Sequence, residues 1–435
     1  MSKKIKQAQA ALETLTVYRG LLRERVISAY YRLLERLAAG SLSVAEFCRD
    51  YCHFYYLLLE EAGDVSFSEY LAEKILFAEN AFSRACEKEK PGVHLMQAAE
   101  RDFGSLKLAA LLSARELKEV AISLLSPEPE ERKIVLELPE WPRKDTALPE
   151  NVEKLADFYA RCGTGEFARF SGFIWQRTKN GGELCGIKSI DPVRFSDLIG
   201  YEKQRRKVIE NTLQFLDGYP ANNVLLYGDR GTGKSSTVKA LLNEYVHLGL
   251  RMIELPRKYL DDLPQVIALI SGRPQKFIIF IDDLSFTDSD ETFTGVKAFL
   301  EGGLTSRTQN VLIYATSNRR HLVKENFAER SAGYADGDDE VRAGETVEEK
   351  LSLADRFGLA VYYINPDRHG YLEIVEGLAR RRGLQIPKEE LHREAINWEM
   401  RQNGRSPRTA RQFIDWLEGR LKLQSGAETK KNGNI

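Results

Sequence analysis

The sequence predicts an α/β chain: a parallel-sheet core with a smaller helical subdomain after it and a mainly α-helical region before it. Three observations carry that expectation. From about residue 191, apolar runs of strand length alternate with helical stretches, the pattern of a parallel sheet covered on both faces. The first of those strands breaks into a glycine-rich loop that opens a helix. Residues 8 to about 125 instead hold a helical apolar period, as in Tyr18, Leu21, Leu22, Val26, Tyr30, Leu33 and Leu37.

The 435 residues bound the rest. That length fits two to four domains. With 43% hydrophobic and 29% charged residues and a formal net charge of −1, the profile is that of a globular chain with no global pull toward nucleic acid or acidic lipid. No apolar run approaches the ~20 residues that span a bilayer, and Met1-Ser-Lys-Lys-Ile-Lys-Gln is followed by no apolar signal core. A cytoplasmic chain without a membrane partner is expected. Five scattered cysteines argue against a disulfide framework. Cys48 and Cys52, four apart in an aromatic-rich helical stretch, are read as sharing a packed face rather than holding a metal with His53.

The helical region is expected to form one domain over 1–125. Prolines at Pro127, Pro129, Pro139 and Pro142 mark a linker or connector over 126–190, in which residues 151–190 read as a helix and a compact aromatic segment at Phe170-Ser-Gly-Phe-Ile-Trp175. The α/β core is placed at 191–367, with strands at Val224–Tyr227, Arg251–Leu255, Phe277–Ile281, Val311–Thr316 and Leu359–Ile364. A helical lid follows at 368–423. The tail 424–435 lacks a stripe of large apolar residues and is expected to be disordered.

The chemistry concentrates after the first core strand. Gly228-Asp229-Arg230-Gly231-Thr232-Gly233-Lys234-Ser235-Ser236 carries the Gly-x-x-x-x-Gly-Lys-Ser/Thr pattern. Its glycines let backbone N–H groups wrap a phosphate, Lys234 would reach the β- and γ-phosphates, and Ser235 would ligate Mg²⁺ at the positive end of a helix. Strand, loop and helix fall in the required order, so a nucleoside triphosphate is the expected ligand. Phe277-Ile-Ile-Phe-Ile ends in Asp282 and Asp283. Asp282 at a strand's C-terminal end would hold Mg²⁺ or its water shell. Asp283 is placed to orient and deprotonate an attacking water, or else is a capping or solvated acid. The next strand delivers Asn318, within reach of the γ-phosphate or that water, though an asparagine there is also an ordinary turn former.

This series, with Asp355-Arg356-Phe357-Gly358 and a C-terminal helical subdomain, resembles the AAA+ ATPases over about residues 191 to 422. Phe195-Ser-Asp-Leu-Ile-Gly-Tyr-Glu-Lys-Gln and the stretch from Glu348 to Leu359 resemble a bacterial family of predicted AAA+ ATPases without an assigned cellular role. The resemblance implies a P-loop AAA+ parallel-sheet core with a helical lid, ATP and Mg²⁺ as cofactors, and an ATPase. It implies that Asn318 is the sensor-1 residue and that Arg356 is an arginine finger supplied to a neighbouring subunit, against the alternative of a surface ion pair. Arg408, with Arg411 as runner-up, would be the sensor-2 arginine, and Ile199 and Tyr201 would wall the adenine. Two departures stand out: Asp-Asp replaces the usual Asp-Glu, and the stretch between Asn318 and Arg356 is long.

Within that stretch, residues 336–349 carry seven acids and one arginine, a pattern read as a solvated loop rather than a gate or a basic partner's site. A finger implies head-to-tail subunits in a ring or spiral, with the N-terminal helices meeting an unidentified protein partner. The leading expectation is an oligomeric ATPase that remodels a macromolecular partner. A nucleotide-dependent switch or scaffold with slow or no hydrolysis is the rival. A nucleic-acid remodeller of helicase-loader or initiator type is the third reading, resting on Arg319-Arg320, Arg380 to Arg382 and Arg401 to Arg411 without support from the charge balance.

Overall fold

A helix forms at Pro129–Glu137, where the prolines were expected to mark a loop, and the helix expected after residue 151 is present at Val152–Cys162. The computed structural model describes residues 2–40, 42–144, 148–179, 181–284, 309–318, 356–402 and 404–432. These divide into two units, Met1–Arg169 and Phe170–Ile435.

The first unit consists of α1 (Ser2–Glu13), α2 (Arg25–Ala39), α3 (Val44–Ala62), α4 (Phe67–Leu76), α5 (Ala81–Lys88), α6 (Val93–Ala110), α7 (Ala114–Leu125), α8 (Pro129–Glu137), α9 (Val152–Cys162) and α10 (Gly165–Arg169). Local chemistry sets several starts. Ser43, Ser66 and Ser113 accept the N–H of Glu46, Glu69 and Glu116, whose carboxylates return a bond to the cap's own N–H. The stripe from Tyr18 to Leu37, half-buried Leu22 apart, is buried together with Phe47, Tyr51, Phe54, Phe67 and Phe82. Asp102, fully buried, accepts the N–H groups of Thr16 at 2.8 Å and Tyr18 at 3.0 Å and so fastens α6 to the turn after α1.

The expected linker is thereby corrected. Val135, Trp141, Val152, Leu155 and Tyr159 enter the same core as α1–α7. Pro129 sits at the first position of α8, where it has no N–H to lose and its fixed φ favours a helix start. Buried Lys118 donates to the carbonyls of Leu136 at 3.0 Å and Leu138 at 2.9 Å, closing that helix's C-terminal end.

The second unit opens with a hairpin, β1 (Gly172–Thr178) and β2 (Gly181–Gly186), in the expected connector. Then come α11 (Glu202–Leu216), β3 (Val224–Gly228), α12 (Lys234–Tyr245), β4 (Leu250–Glu254), α13 (Leu263–Ile270), β5 (Lys276–Ile281), β6 (Val311–Ser317) and β7 (Leu359–Tyr363). The five expected core strands are present within a residue or two. The sheet runs β2-β1-β4-β5-β6-β3-β7, with β2 antiparallel to β1 and the other pairings parallel. The hairpin is pinned through Asp262, whose carboxylate takes two bonds from Arg177, both at 2.7 Å, and one from the indole of buried Trp175 at 2.8 Å.

The lid is α14 (Arg368–Arg381), α15 (Lys388–Arg401) and α16 (Pro407–Asn432), with its own core of Tyr371, Val375, Leu391, Ala395, Phe413, Ile414 and Leu417. Helix α16 continues through 424–432, where a disordered tail was expected. The overall class is the one expected: a mostly parallel α/β sheet with a helical lid, preceded by a helical region. Among the described residues no helix is long and apolar enough to cross a membrane.

Candidate active site

Because β3, β5 and β6 are parallel, their C-terminal ends meet at one edge of the sheet, the edge where open α/β sheets bind ligands. Gly228 ends β3 with a φ of +123°. A Cβ there would lie 2.0 Å from the Tyr363 carbonyl oxygen, so only glycine lets β7 approach this closely. Asp229 fixes the next turn. Its N–H bonds the Tyr363 carbonyl at 2.8 Å and its carboxylate accepts the Asn365 N–H at 2.8 Å. Thr232 closes the loop on itself by donating to the Asp229 carbonyl at 2.8 Å. Helix α12 begins at Lys234, so its first N–H groups have no intrahelical acceptor; the first bond of the turn runs from Thr237 N–H to the Gly233 carbonyl at 2.9 Å.

Lys234 is buried, and its Nζ donates to the carbonyls of Gly228 at 3.0 Å and Asp229 at 2.6 Å. Burial pushes its amine down to about 8, against the opposite pull of Asp229, Asp283 and Asp282. Arg230 is exposed on the same loop, and Ser236 is half-buried in the first turn of α12.

The carboxylate end of β5 completes the arrangement. Asp282 Oδ1 accepts three bonds: from Ser235 Oγ at 2.6 Å, from Thr316 Oγ1 at 2.6 Å and from the Asp283 N–H at 3.1 Å. The Asp283 N–H also reaches Thr316 Oγ1 at 2.9 Å. Asp283 itself adopts a φ of +53°, an uncommon backbone for a residue with a side chain. Its carboxylate is held by the Asn318 amide. Thus Ser235, Asp282, Asp283 and Asn318, chosen from the sequence, meet at one place. Thr316, expected only as the last residue of its strand, joins Asp282 to Asp283. A hydroxyl near the end of an otherwise apolar, buried strand was the available signal.

Ile199 and Tyr201 line a cavity of about 40 Å³ with Arg205, Tyr363, Ile374, Leu378 and Arg411. Tyr201 has a φ of +62°, stacks on Tyr363 with ring centroids 5.2 Å apart and donates to the Ile364 carbonyl at 2.7 Å. Burial, then Asp229 and Tyr363, raise its phenol above the usual range. The Arg408 N–H bonds the Gly231 carbonyl at 3.2 Å, so Arg408 adjoins the phosphate loop while Arg411 lines the cavity.

Arg356 stands apart. It lies three residues before Leu359, which pairs with Val224 at the N-terminal ends of β7 and β3. The five-residue strand β3 separates it from the phosphate loop by roughly 16 Å. It borders a different cavity, of about 300 Å³, with Tyr219, Asn222 and Gln309. Residues 336–349, Arg319 and Arg320 lie outside the described residues.

Residues 168–421 match the family described as a protein of unknown function, DUF815. The chain belongs to this family. Curated relatives of the DUF815 chain include a probable spastin homolog of Brugia malayi, 28% identical over 166 residues that cover 32% of this chain and 37% of that protein. The 26S proteasome regulatory subunit 4 homolog of Saccharomyces cerevisiae is 34% identical over 104 residues, 21% of this chain and 24% of that one. The Holliday junction branch migration complex subunit RuvB of Mycoplasmopsis pulmonis is 29% identical over 99 residues, 22% and 30%. The chain thus spans between about a quarter and just over a third of these relatives' lengths. Among solved structures, the Thermotoga maritima RuvB Holliday junction branch migration motor matches with a TM-score of 0.38 and 15% identity, over 54% of this chain and 67% of that one. The AAA+ resemblance read from the motifs is borne out, at the level of the superfamily, by these curated relatives.

Proposed function

We propose that this DUF815 chain is a Mg²⁺-dependent ATPase whose site is completed by a neighbouring subunit, and that hydrolysis drives rearrangement of a macromolecular partner met by the N-terminal helices. The observation that carries the reading is the junction of Ser235, Asp282 and Thr316 beside the glycine cradle. The hydroxyl and carboxylate oxygens of Ser235 and Asp282, 2.6 Å apart, are the donor type a hard cation takes, so the residues fit Mg²⁺. When bound, that ion would offset charge on the β- and γ-phosphates.

The protein's own groups do the rest. Loop amides from Gly228 to Ser236 receive phosphate oxygens. Lys234 exchanges its two carbonyl partners for the β- and γ-phosphates. Asn318 orients Asp283, which takes a proton from the attacking water. Arg408 approaches the phosphates from the lid. Ile199, Tyr201 and Arg411 receive the base.

Arg356 lies at the far edge of its own sheet, which favours action on a neighbour over action in cis. Its test is a mixture. Arg356→Ala is expected to bind ATP without hydrolysing it, and Lys234→Ala to do neither. Mixing the two regains activity, because an intact finger then meets an intact loop. No regain in mixtures shown to co-assemble would refute a finger in trans.

The hold of Asn318 on Asp283 is the observation that favours the switch reading, since an engaged shorter acid reaches water less readily. The nucleic-acid reading loses ground in the lid. Arg381 pairs with Asp197, Arg382 with Asp415 and Glu418, and Arg405 with Glu399.

A further inference from the structure

The segment that carries Arg356 rests on a buried polar network. Asn211, in the last half of α11, is almost fully buried. Its carboxamide engages both backbone groups of Asn222: Asn222 N–H donates to Oδ1 at 3.0 Å, and Nδ2 donates to the Asn222 carbonyl at 2.9 Å. The same Nδ2 reaches the Tyr314 hydroxyl at 3.0 Å, and that hydroxyl shares a hydrogen bond with Thr212 at 2.8 Å. Tyr314, on β6, is wholly buried. The next residue, Asn223, accepts the Ile313 N–H through its side chain at 2.8 Å, and its carbonyl accepts the Leu359 N–H at 3.2 Å.

Asn222 is in turn the wall against which the arginine segment lies. A Cβ placed on Gly358 would fall 2.3 Å from Asn222 Oδ1 and 2.7 Å from its Cγ. Gly358 has no positive φ, so its backbone would accept alanine, whose methyl group would then have to displace the exposed Asn222 side chain. Phe357, next to Arg356, is buried. The bonds from α11 therefore hold the Asn222 backbone, the Asn223 carbonyl holds Leu359, and the Asn222 side chain lies against Gly358, two residues from Arg356.

We infer that Asn211, Asn222 and Tyr314 form the positioning element of Arg356, setting the register at which its guanidinium is offered to a second copy of this chain. The inference rests on the trans-finger reading above. The network leaves the phosphate loop untouched, because it works at the opposite end of β3 from Gly228. The buried Asn211 carboxamide, paired through both its oxygen and its nitrogen, specifies one geometry where an apolar contact would tolerate several, and a displacement of about 1 Å at a reacting centre costs up to ~100-fold in rate.

The test uses full-length subunits of two kinds. Acceptors carry Arg356→Ala. Donors carry Lys234→Ala and an intact Arg356, alone or with Gly358→Ala or Asn211→Ala. Rescue of phosphate release by the plain donor sets the reference. Adding Gly358→Ala to the donor is expected to lower the acceptor's kcat roughly 10- to 100-fold with its KM for ATP unchanged, and adding Asn222→Gly to that donor restores it by removing the obstructing side chain. Asn211→Ala lowers kcat in the same way. Donors that rescue at full rate with Gly358→Ala and with Asn211→Ala, while melting like the plain donor, overturn the positioning role. So does a change confined to KM. A plain donor that co-assembles and fails to rescue overturns the trans finger itself, and the inference falls with it. Nucleotide affinity of Gly358→Ala with Lys234 intact is the fold control, expected to equal wild type.

Discussion

Carboxylates serve opposite ends in the two units. In the N-terminal unit Glu46, Glu69 and Glu116 close capping boxes, each three residues after a serine, in the first turn of a helix that wants negative charge. In the core, Asp282 and Asp283 follow one another at a strand end, one collecting three hydrogen bonds on a single oxygen and the other held at a φ of +53°. The first group satisfies local rules and gains stability from them. The second breaks them, as do Tyr201 at a φ of +62° and buried Lys234 bonded to two carbonyls. Such local violations concentrate where a site has to be held ready. The two regions should therefore respond to substitution in opposite ways: changes in the helical unit move stability and spare nucleotide binding, and changes in the site do the reverse.

The largest effect is expected at Lys234. Lys234→Ala removes a cation at the phosphate loop and should weaken ATP binding by roughly 100-fold in calorimetric titration. Affinity within a few-fold of wild type would break the contrast. Thr316→Val comes next. It strips Asp282 and the Asp283 N–H of a shared partner and should cut phosphate release at least ~10-fold at little change in ATP affinity, while Thr316→Ser keeps most of the activity. Equal loss in both variants would assign Thr316 to packing alone.

The same contrast explains what was legible in the sequence. Phosphate loop, acid pair and Asn318 were readable because each sits at the end of a continuous apolar run, and order along the chain fixes which sheet edge they share. Thr316 was harder, since a hydroxyl among Ile313, Tyr314 and Ala315 looks like a β-branched strand residue until its two partners are located. The β1–β2 hairpin was missed because its strands are short and contain Gly172, Gly181, Gly182 and Gly186, which resemble punctuation. Pro129 and Pro139 looked like linker marks, yet one starts α8 and the other offers its carbonyl to Tyr51 at 2.6 Å. Neither strand order nor the Asn211–Tyr314 bond has a local signature, because both join residues far apart in sequence.

Smaller effects belong to the helical unit. Ser66→Ala removes the cap of α4 and should cost about 1 kcal/mol, read as faster amide exchange in α4, with ATP affinity unchanged. A shift in affinity alongside it would erase the separation between the units. The smallest effect is in pH. Glu69, held near 2 by its hydrogen bonds with Lys144 and Ser66, has a folded value below its ordinary 4.5. Its contribution is therefore present above about 4.5 and lost as pH falls toward about 2. Glu69→Gln should exchange faster than wild type in α4 at pH 7, with the gap closing at low pH. A gap independent of pH would mean that the charge has no part in it.

The most direct measurement on the central claim is steady-state phosphate release per subunit, with ATP and Mg²⁺, as protein concentration is raised, against a Lys234→Ala control. A composite site predicts specific activity that climbs with concentration as neighbours supply Arg356, and a flat, near-zero line for the control. Wild-type release that equals the Lys234→Ala line at every concentration would contradict the account.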